Sequence, residues 1–408
     1  MSTTEASPAE TAVPTRWILA FCLATVATFV GWYGPLQILL GTQADLIDPA
    51  DKEAILALVA GIGALFSMIA NPLWGALSDR TTSRFGQRIP WVAGGALAGA
   101  GGLMVLATAE STAGMIVGWS LTQIALNAPF AALSAAIPDQ VPLAKRGVAG
   151  GYFGVAQTVG VLGGTGLAYA GGTVLSGYAA CAAFVVLGSL PFVLLRRDRT
   201  IAAAPTWDTR AFLRGFWISP REHPDFAWAW LTRFLINLGN AIALLYLLFY
   251  LKDQVRVSDP EGGVVVLTGV YAVALLGTVL IGGYWSDRVG RRRVFVAGSG
   301  VVMSVAAMLL AVWPTWPGAL VAATVLGVSF GIYTSVDFAL ITQVLPAAAD
   351  RGKDLGVINI ANTLPQVLAP VVAAPIVGRL GGYPALYTVS AGVGLLGAAL
   401  VFRIKTVR

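Results

Sequence analysis

Long apolar runs broken by short polar segments dominate this chain. A helix needs about 20 mainly apolar residues to cross the hydrocarbon core of a bilayer. Runs of that kind occupy roughly 17–40, 54–77, 90–109, 113–137, 148–170 and 175–195, and then 226–251, 263–285, 294–313, 318–344, 355–377 and 384–402. The pattern predicts an all-α integral membrane protein with twelve transmembrane helices, the glycine-rich 90–109 run being the least distinct. The longest polar gap, 196–225, divides the runs six and six. The expected organisation is a tail (1–16), a first six-helix bundle (17–195), a linker (196–225), a second bundle (226–402) and a short tail (403–408). Within the linker, Arg210–Trp217 reads as an amphipathic piece suited to the membrane surface.

Composition agrees. The 408 residues are 57% hydrophobic with a mean hydropathy of +0.76, and only 11% are charged. A soluble domain carries about 25% charged residues, so this chain could not cover a water-facing surface. Its two cysteines, Cys22 and Cys181, lie in separate apolar runs and suggest neither a disulfide framework nor a metal site. The single histidine, His223, sits in a polar segment, which excludes a histidine-based active site. Residues 2–14 are polar and lack the basic region of a cleaved signal peptide.

The basic residues orient the helices. Twenty-one of the 26 fall in the tails and alternate loops on one side, whereas Lys52, Lys252, Arg256 and Arg379 fall on the other and Arg233 lies within a run. Short cytoplasmic loops hold the excess of Lys and Arg, so both termini are expected in the cytoplasm of a multi-pass plasma (bacterial inner) membrane protein. The net charge of +6 reflects this loop bias and not a nucleic-acid partner.

The two halves repeat. Gly75-Ala-Leu-Ser78-Asp79-Arg80 after the second run matches Gly283-Tyr-Trp-Ser286-Asp287-Arg288 after the eighth. Gly86-Gln87-Arg88 matches Gly290-Arg291-Arg292, and Ala156-Gln157-Thr158 matches Ala361-Asn362-Thr363, all at offsets of 204 to 208 residues. Parallel repeats of this kind mark carrier folds whose solute site lies between the halves.

The second loop, GYWSDRVGRRR, closely resembles the hallmark loop of the major facilitator superfamily. The first, SDRTTSRFGQRIPW, is similar to the longer form found in glycoside–pentoside–hexuronide and sucrose-type sugar symporters of that superfamily. The resemblance implies two pseudo-symmetric six-helix bundles that alternately open a shared cavity, with no enzyme activity and no cofactor beyond the proton gradient as energy source. The expected partners are a small solute and the lipid bilayer, the chain acting as a monomer. It also implies a cytoplasmic gate at Gly75, Asp79, Arg80 and Arg88 and at Gly283, Asp287, Arg288 and Arg292. The glycines would admit a neighbouring helix, and the aspartates would meet the positive N-termini of helices five and eleven in the opposite half.

Two charges stand inside apolar runs, Arg233 in the seventh and Asp337 in the tenth, both about 12 Å deep at 1.5 Å per residue. A charge at that depth pairs or serves function. Three roles remain open: a proton-coupling acid, a static bridge, or direct contact with solute. Desolvation favours the neutral acid and a nearby guanidinium favours the carboxylate, so a varying separation would load and release a proton. Polar and aromatic residues form helical stripes: Trp119, Gln123, Asn127, Phe130 and Ser134; Asn237 and Asn240 with Arg233; Asn359, Asn362 and Gln366 with Gln157 as counterpart; and Tyr333 leading to Asp337. Such amides serve either as interhelical hydrogen bonds or as the lining of a wet cavity for an uncharged, hydroxyl-rich solute. The glycine pairs Gly150/Gly154 and Gly160/Gly164 read as helix-packing positions, and Pro365, Pro370 and Pro375 as bends in span eleven.

The expected activity is proton-coupled symport of a small polar solute such as a sugar or glycoside. Melibiose-type relatives hold sodium with acidic residues in spans two and four, and none occurs there here. The alternative is a proton-driven drug or metabolite efflux antiporter; Gly160-Val-Leu-Gly163-Gly164 matches the span-five glycines of that group but lacks their proline.

Overall fold

A computed structural model describes residues 13–142, 145–204, 219–289, 291–344 and 351–405. Arg210–Trp217 and most of the N-terminal tail lie outside the described residues, as do the surroundings of Gly283 and the side chains of Asp287 and Asn359. The chain is nearly all helix, and the described residues contain no strand. In the first half α1 (Thr15–Gly34) continues through a π-helical turn at Pro35–Leu39 into Leu40–Ile47. It is followed by α2 (Lys52–Ser78), α3 (Ile89–Ala107), α4 (Thr112–Gln140), α5 (Arg146–Ala170) and α6 (Val174–Leu194). In the second half α7 (Pro224–Leu245) continues through Leu247–Phe249 into a π-helical segment, Tyr250–Val255. Then come α8 (Pro260–Val289), α9 (Arg292–Val312), α10 (Trp316–Val344), α11 (Arg351–Arg379) and α12 (Gly382–Leu400).

Short turns join these helices where the sequence supplies caps. Ser111 Oγ accepts from Gly114 N (3.2 Å) at the start of α4, and Thr173 Oγ1 from Ser176 N (3.1 Å) at the start of α6, satisfying N–H groups that lack a partner within the helix. Gly381 and Gly382, at φ +113° and +69°, make the α11–α12 turn in a conformation that glycine alone adopts freely.

Among the described residues, eleven helices are both long and apolar enough to span a membrane. The twelfth, α5, is of full length but too rich in glycine and polar residues to match that composition. It packs along α1 and turns a polar face to the molecule's interior, so it need not be apolar all round. The weak stretch is thus α5 and not the 90–109 run, which forms the regular helix α3.

Helix packing repeats between the halves. In the first, α1 packs on α5 and α6, α2 on α4, and α3 on α4 and α6; in the second, α7 packs on α11 and α12, α8 on α10, and α9 on α10 and α12. The two principal interfaces between the halves, α2–α11 and α5–α8, are themselves images under the same exchange. The sequence repeat is therefore a repeat of three-dimensional contacts, and the fold is two pseudo-symmetric six-helix bundles.

Glycine permits the closest approaches. A Cβ on Gly164 would lie 2.9 Å from Gly34 N and 3.0 Å from Val30 Cα, and one on Gly160 would lie 2.9 Å from Val26 O. These are backbone atoms that cannot swing aside, so Gly160/Gly164 is a packing pair as expected. Gly150 and Gly154 are not: nothing lies within 4 Å of a Cβ at either, both are exposed, and both line the central cavity. Gly75 likewise has no neighbour within 4 Å and admits no helix in this conformation. Gly164→Leu should therefore destabilise the protein by about 3 kcal/mol or more, the upper end of overpacking costs. Gly166→Leu, whose Cβ meets only open space, should melt within a few degrees of the parent in detergent-solubilised thermal unfolding. Equal melting temperatures for the two variants would show that the α1–α5 contact yields.

Candidate functional site

Between the halves lies a cavity of about 820 Å³. Its walls come from α1, α2, α4 and α5 of one half and α7 to α11 of the other. Arg233 on α7 forms an ion pair with Asp337 on α10, where the carboxylate is almost fully buried and the guanidinium is 17% exposed toward the cavity. Arg233 Nε also donates to Asn362 Oδ1 on α11 (2.7 Å), and Asn237 Nδ2 reaches the same oxygen at 3.2 Å. One guanidinium thus ties together three helices of the second half. A lone buried charge would be prohibitively costly, whereas a paired and hydrogen-bonded one is tolerable. Tyr333 lies one helical turn before Asp337 on α10, buried, with its ring 5.8 Å from that of Phe330.

The cavity gathers most of the polar residues expected to line it: Trp119, Gln123, Asn127, Gln157, Asn237, Asn240, Tyr333 and Asn362. They are not equivalent. Trp119 is fully buried against Gly63, so it serves mainly to pack α4 on α2. Asn127 donates to Ser67 Oγ (2.7 Å) and to Gln123 O (2.7 Å) and accepts from Asn71 Nδ2 (3.1 Å). Its amide is spent holding α2 to α4. Asn240 Oδ1 is buried without a partner among the described residues. Asn359 lies outside the described side chains.

Several lining residues escaped the sequence reading. Gln37 and Asn71 enter from α1 and α2, and Tyr271 from α8. Phe29 stacks on Tyr33 at 5.7 Å, and Trp32 meets Phe130 edge-on at 5.5 Å. The signal for Gln37 and Asn71 was a single amide beside a proline in an otherwise apolar span.

One end of the cavity is latched. On the face away from the Asp79 loop, Lys52 at the start of α2 is buried and lies 2.7 Å from Asp253 Oδ2 and 3.6 Å from Asp45 Oδ1. Lys252 pairs with Asp45. Tyr383 OH is 3.0 Å from both Glu53 Oε1 and Asp253 Oδ2, Tyr246 OH donates to Glu53 O, and Thr42 Oγ1 donates to Glu261 Oε1 at 2.6 Å. Every one of these bonds except Lys52–Asp45 and the Tyr383–Asp253 contact crosses between the halves. Among the described residues, all ion pairs joining the halves lie on this face. Toward the loop face the cavity instead reaches the exposed Gly150, Gly151 and Gly154.

The contacts described for Asp79 and Arg88 lie within their own half. Arg88 is buried and bonds Asp79 Oδ1 (2.6 Å), Asp139 Oδ2 (2.8 Å) and Ser78 Oγ (2.8 Å). Asp79 therefore meets the α2–α3 loop's own arginine, not a helix N-terminus of the other half, as suits a face where the halves are apart. Arg80 bonds Ala76 O (2.9 Å), the exposed Arg288 reaches Tyr284 OH (3.5 Å), and Arg292 lies half-buried in the first turn of α9. Asp198, just past α6, returns to accept from Arg88 N (2.5 Å) and Ile89 N (2.9 Å) at the start of α3, an unforeseen cap.

A helical membrane protein of two like halves enclosing a polar cavity, latched at one end, is a membrane transporter by architecture. The family model of the Major Facilitator Superfamily matches residues 16–272 and 229–408, and the chain belongs to that superfamily. It is 24% identical to the sucrose transport protein SUC4 of Arabidopsis thaliana over 474 residues, covering 96% of this chain and 90% of that protein. A shorter stretch of 49 residues is 49% identical to an uncharacterized symporter of Synechocystis, 11% of this chain and 9% of that one. Among solved structures, the nucleoside transporter NupG superposes with a TM-score of 0.75 at 15% identity, covering 95% of this chain and 99% of that one. The human organic anion transporter MFSD10 does so with a TM-score of 0.69 at 16% identity, covering 97% and 100%. At those identities the structural likenesses speak for the fold alone.

Proposed function

We propose that the chain is a proton-coupled symporter of a small uncharged polar solute, a sugar or glycoside, working by alternating access in a plasma membrane with the Asp79 loop in the cytoplasm. The observation that carries this reading is the Arg233–Asp337 pair, the one charged pair among the described lining residues, opening on a wall that mixes amides and aromatic rings with aliphatic side chains. The pair supplies the one carboxylate among the described lining residues, and the neutral walls suit a neutral solute. The similarity to SUC4 along nearly the whole chain supports the sugar assignment. In this reading Asp337 takes a proton when the cavity faces outside and Arg233 swings away. It loses the proton inward as the pair closes again, the arrangement seen here.

The aromatic wall of Phe29, Trp32, Tyr33 and Phe130 also suits a larger amphiphilic compound, so proton-driven export of such compounds is the second reading. Proteoliposomes in weak buffer separate the two. Symport predicts that added sugar makes the outer medium transiently alkaline as protons enter with it. Export predicts no response to sugars and proton-driven movement of cationic dyes. Sugar exchange without proton movement would remove the coupling.

A further inference from the structure

We infer that the solute is gripped by four glutamines, Gln37 in the π-helical turn that continues α1, Gln123 on α4, Gln157 on α5 and Gln366 on α11, while Asn71, Asn127, Asn237 and Asn362 hold the walls. All four glutamines line the cavity, and none of their side chains bonds another described protein group. Four of the lining asparagines are committed: Asn127 and Asn71 join α2 to α4, and Asn362 Oδ1 accepts from both Arg233 Nε and Asn237 Nδ2, whereas Asn240 Oδ1 is buried without a partner among the described residues. Chain length accounts for the division at these eight positions. The shorter side chain stays close to its own helix and meets the adjacent one, whereas the extra methylene carries the glutamine amide into the open space.

Each free amide presents two N–H donors and a carbonyl acceptor. Hydroxyl groups need both, so amides match a polyhydroxylated edge whichever way its O–H bonds rotate. Gln37 and Gln123 stand on the same helices as the aromatic wall, α1 carrying Phe29, Trp32 and Tyr33, and α4 carrying Phe130. A flat ring packs its apolar C–H face on such aromatics and turns its hydroxyl edge to the amides. Three of the four glutamines belong to the first half and the charged pair to the second. Solute binding and proton handling are then borne by opposite halves, and the solute must bridge them through Gln366. This deepens the symporter reading and rests on it.

The test is counterflow with the full chain in proteoliposomes, using sucrose and its monodeoxy analogues as probes. One neutral hydrogen bond is worth roughly 0.5–1.5 kcal/mol, so Gln123→Ala and Gln157→Ala should each raise KM about two- to tenfold. The maximal rate and the melting temperature should stay at the parent's values, because neither amide holds the fold together. The analogue that lacks the hydroxyl held by a given glutamine should be penalised in the parent and lose that penalty in the matching variant, because a site built to bond a hydroxyl rejects its absence. A merely structural glutamine would not erase that discrimination. If sucrose exchanges but KM and the deoxy penalties are unchanged in both variants, the glutamine assignment falls. If the parent exchanges no sugar at all, the symporter reading falls with it.

Discussion

Replacing Asp337 with asparagine will reduce the accumulation ratio of the solute to unity while leaving exchange across the membrane intact. Asparagine keeps the shape of the side chain but cannot carry a proton as a charge switch, so downhill movement and counterflow survive and uphill movement does not. The substitution also strands Arg233. Breaking a buried ion pair by removing one partner costs about 3–5 kcal/mol. The cost here should lie at the lower end, because Arg233 is 17% exposed to the cavity and keeps its bond to Asn362. Adding Arg233→Gln to Asp337→Asn removes the stranded charge and should recover part of the lost melting temperature without restoring accumulation. Active accumulation by Asp337→Asn would place coupling elsewhere; loss of exchange together with accumulation would make the pair a structural bridge.

The second large effect belongs to the latch. Lys52 is nearly buried between Asp45 and Asp253, with only 9% of its side chain exposed. Lys52→Met leaves Asp45, Glu53 and Asp253 facing one another with Lys252 as the remaining cation close by. Truncating one partner of a buried, hydrogen-bonded charge pair costs about 2–5 kcal/mol, and each 1.4 kcal/mol is a factor of ten. Most of that cost falls on the conformation in which the halves touch on this face. The population open there should rise at least tenfold. A cysteine at Leu36, which lines the cavity, in a chain lacking Cys22 and Cys181, reports this through its rate of labelling by an impermeant maleimide added on the latch side. Exchanging the charges, Lys52→Asp with Asp253→Lys, should slow labelling again in part, since Asp45 then faces a like charge. Unchanged labelling in Lys52→Met would mean that apolar packing, not the ion pairs, closes this face.

The membrane architecture was legible because it rests on local quantities. A run of about 20 apolar residues is a span wherever it occurs, and Arg233 and Asp337 stand out because charges in such runs are rare. The repeat was equally visible, since matched loops need only be compared with each other. Contacts between distant positions were not visible. Lys52, Lys252, Asp45 and Asp253 read as ordinary loop charges, yet they meet across some two hundred residues of chain. Arg88 and Asp79 were recognisable from their loop, but only the fold shows Asp139 completing the site at the end of α4. The cavity residues were half-read for a related reason. Helical periodicity marks which amides share a face, but it does not say whether that face meets a neighbouring helix, as for Asn127, or empty space, as for Gln123. Gln37 went unnoticed because it is a lone amide in the first apolar run, with no second amide on its face to mark a stripe.

The proline close to Gln37 has a wider effect. Lacking an N–H, Pro35 opens a π-helical turn, closed by Leu40 N bonding Pro35 O, which inserts one residue into the winding of α1. Past the turn, Thr42 and Asp45 reach Glu261 and Lys252, where unbroken α winding would have presented their predecessors. The partner arm carries the same device, for Lys252 and Asp253 sit within the π segment Tyr250–Val255. Rewinding either turn to α geometry would rotate everything beyond it by about 100° and pull the latch charges off their partners. In each half, then, the winding of one short turn decides which charges reach the clasp.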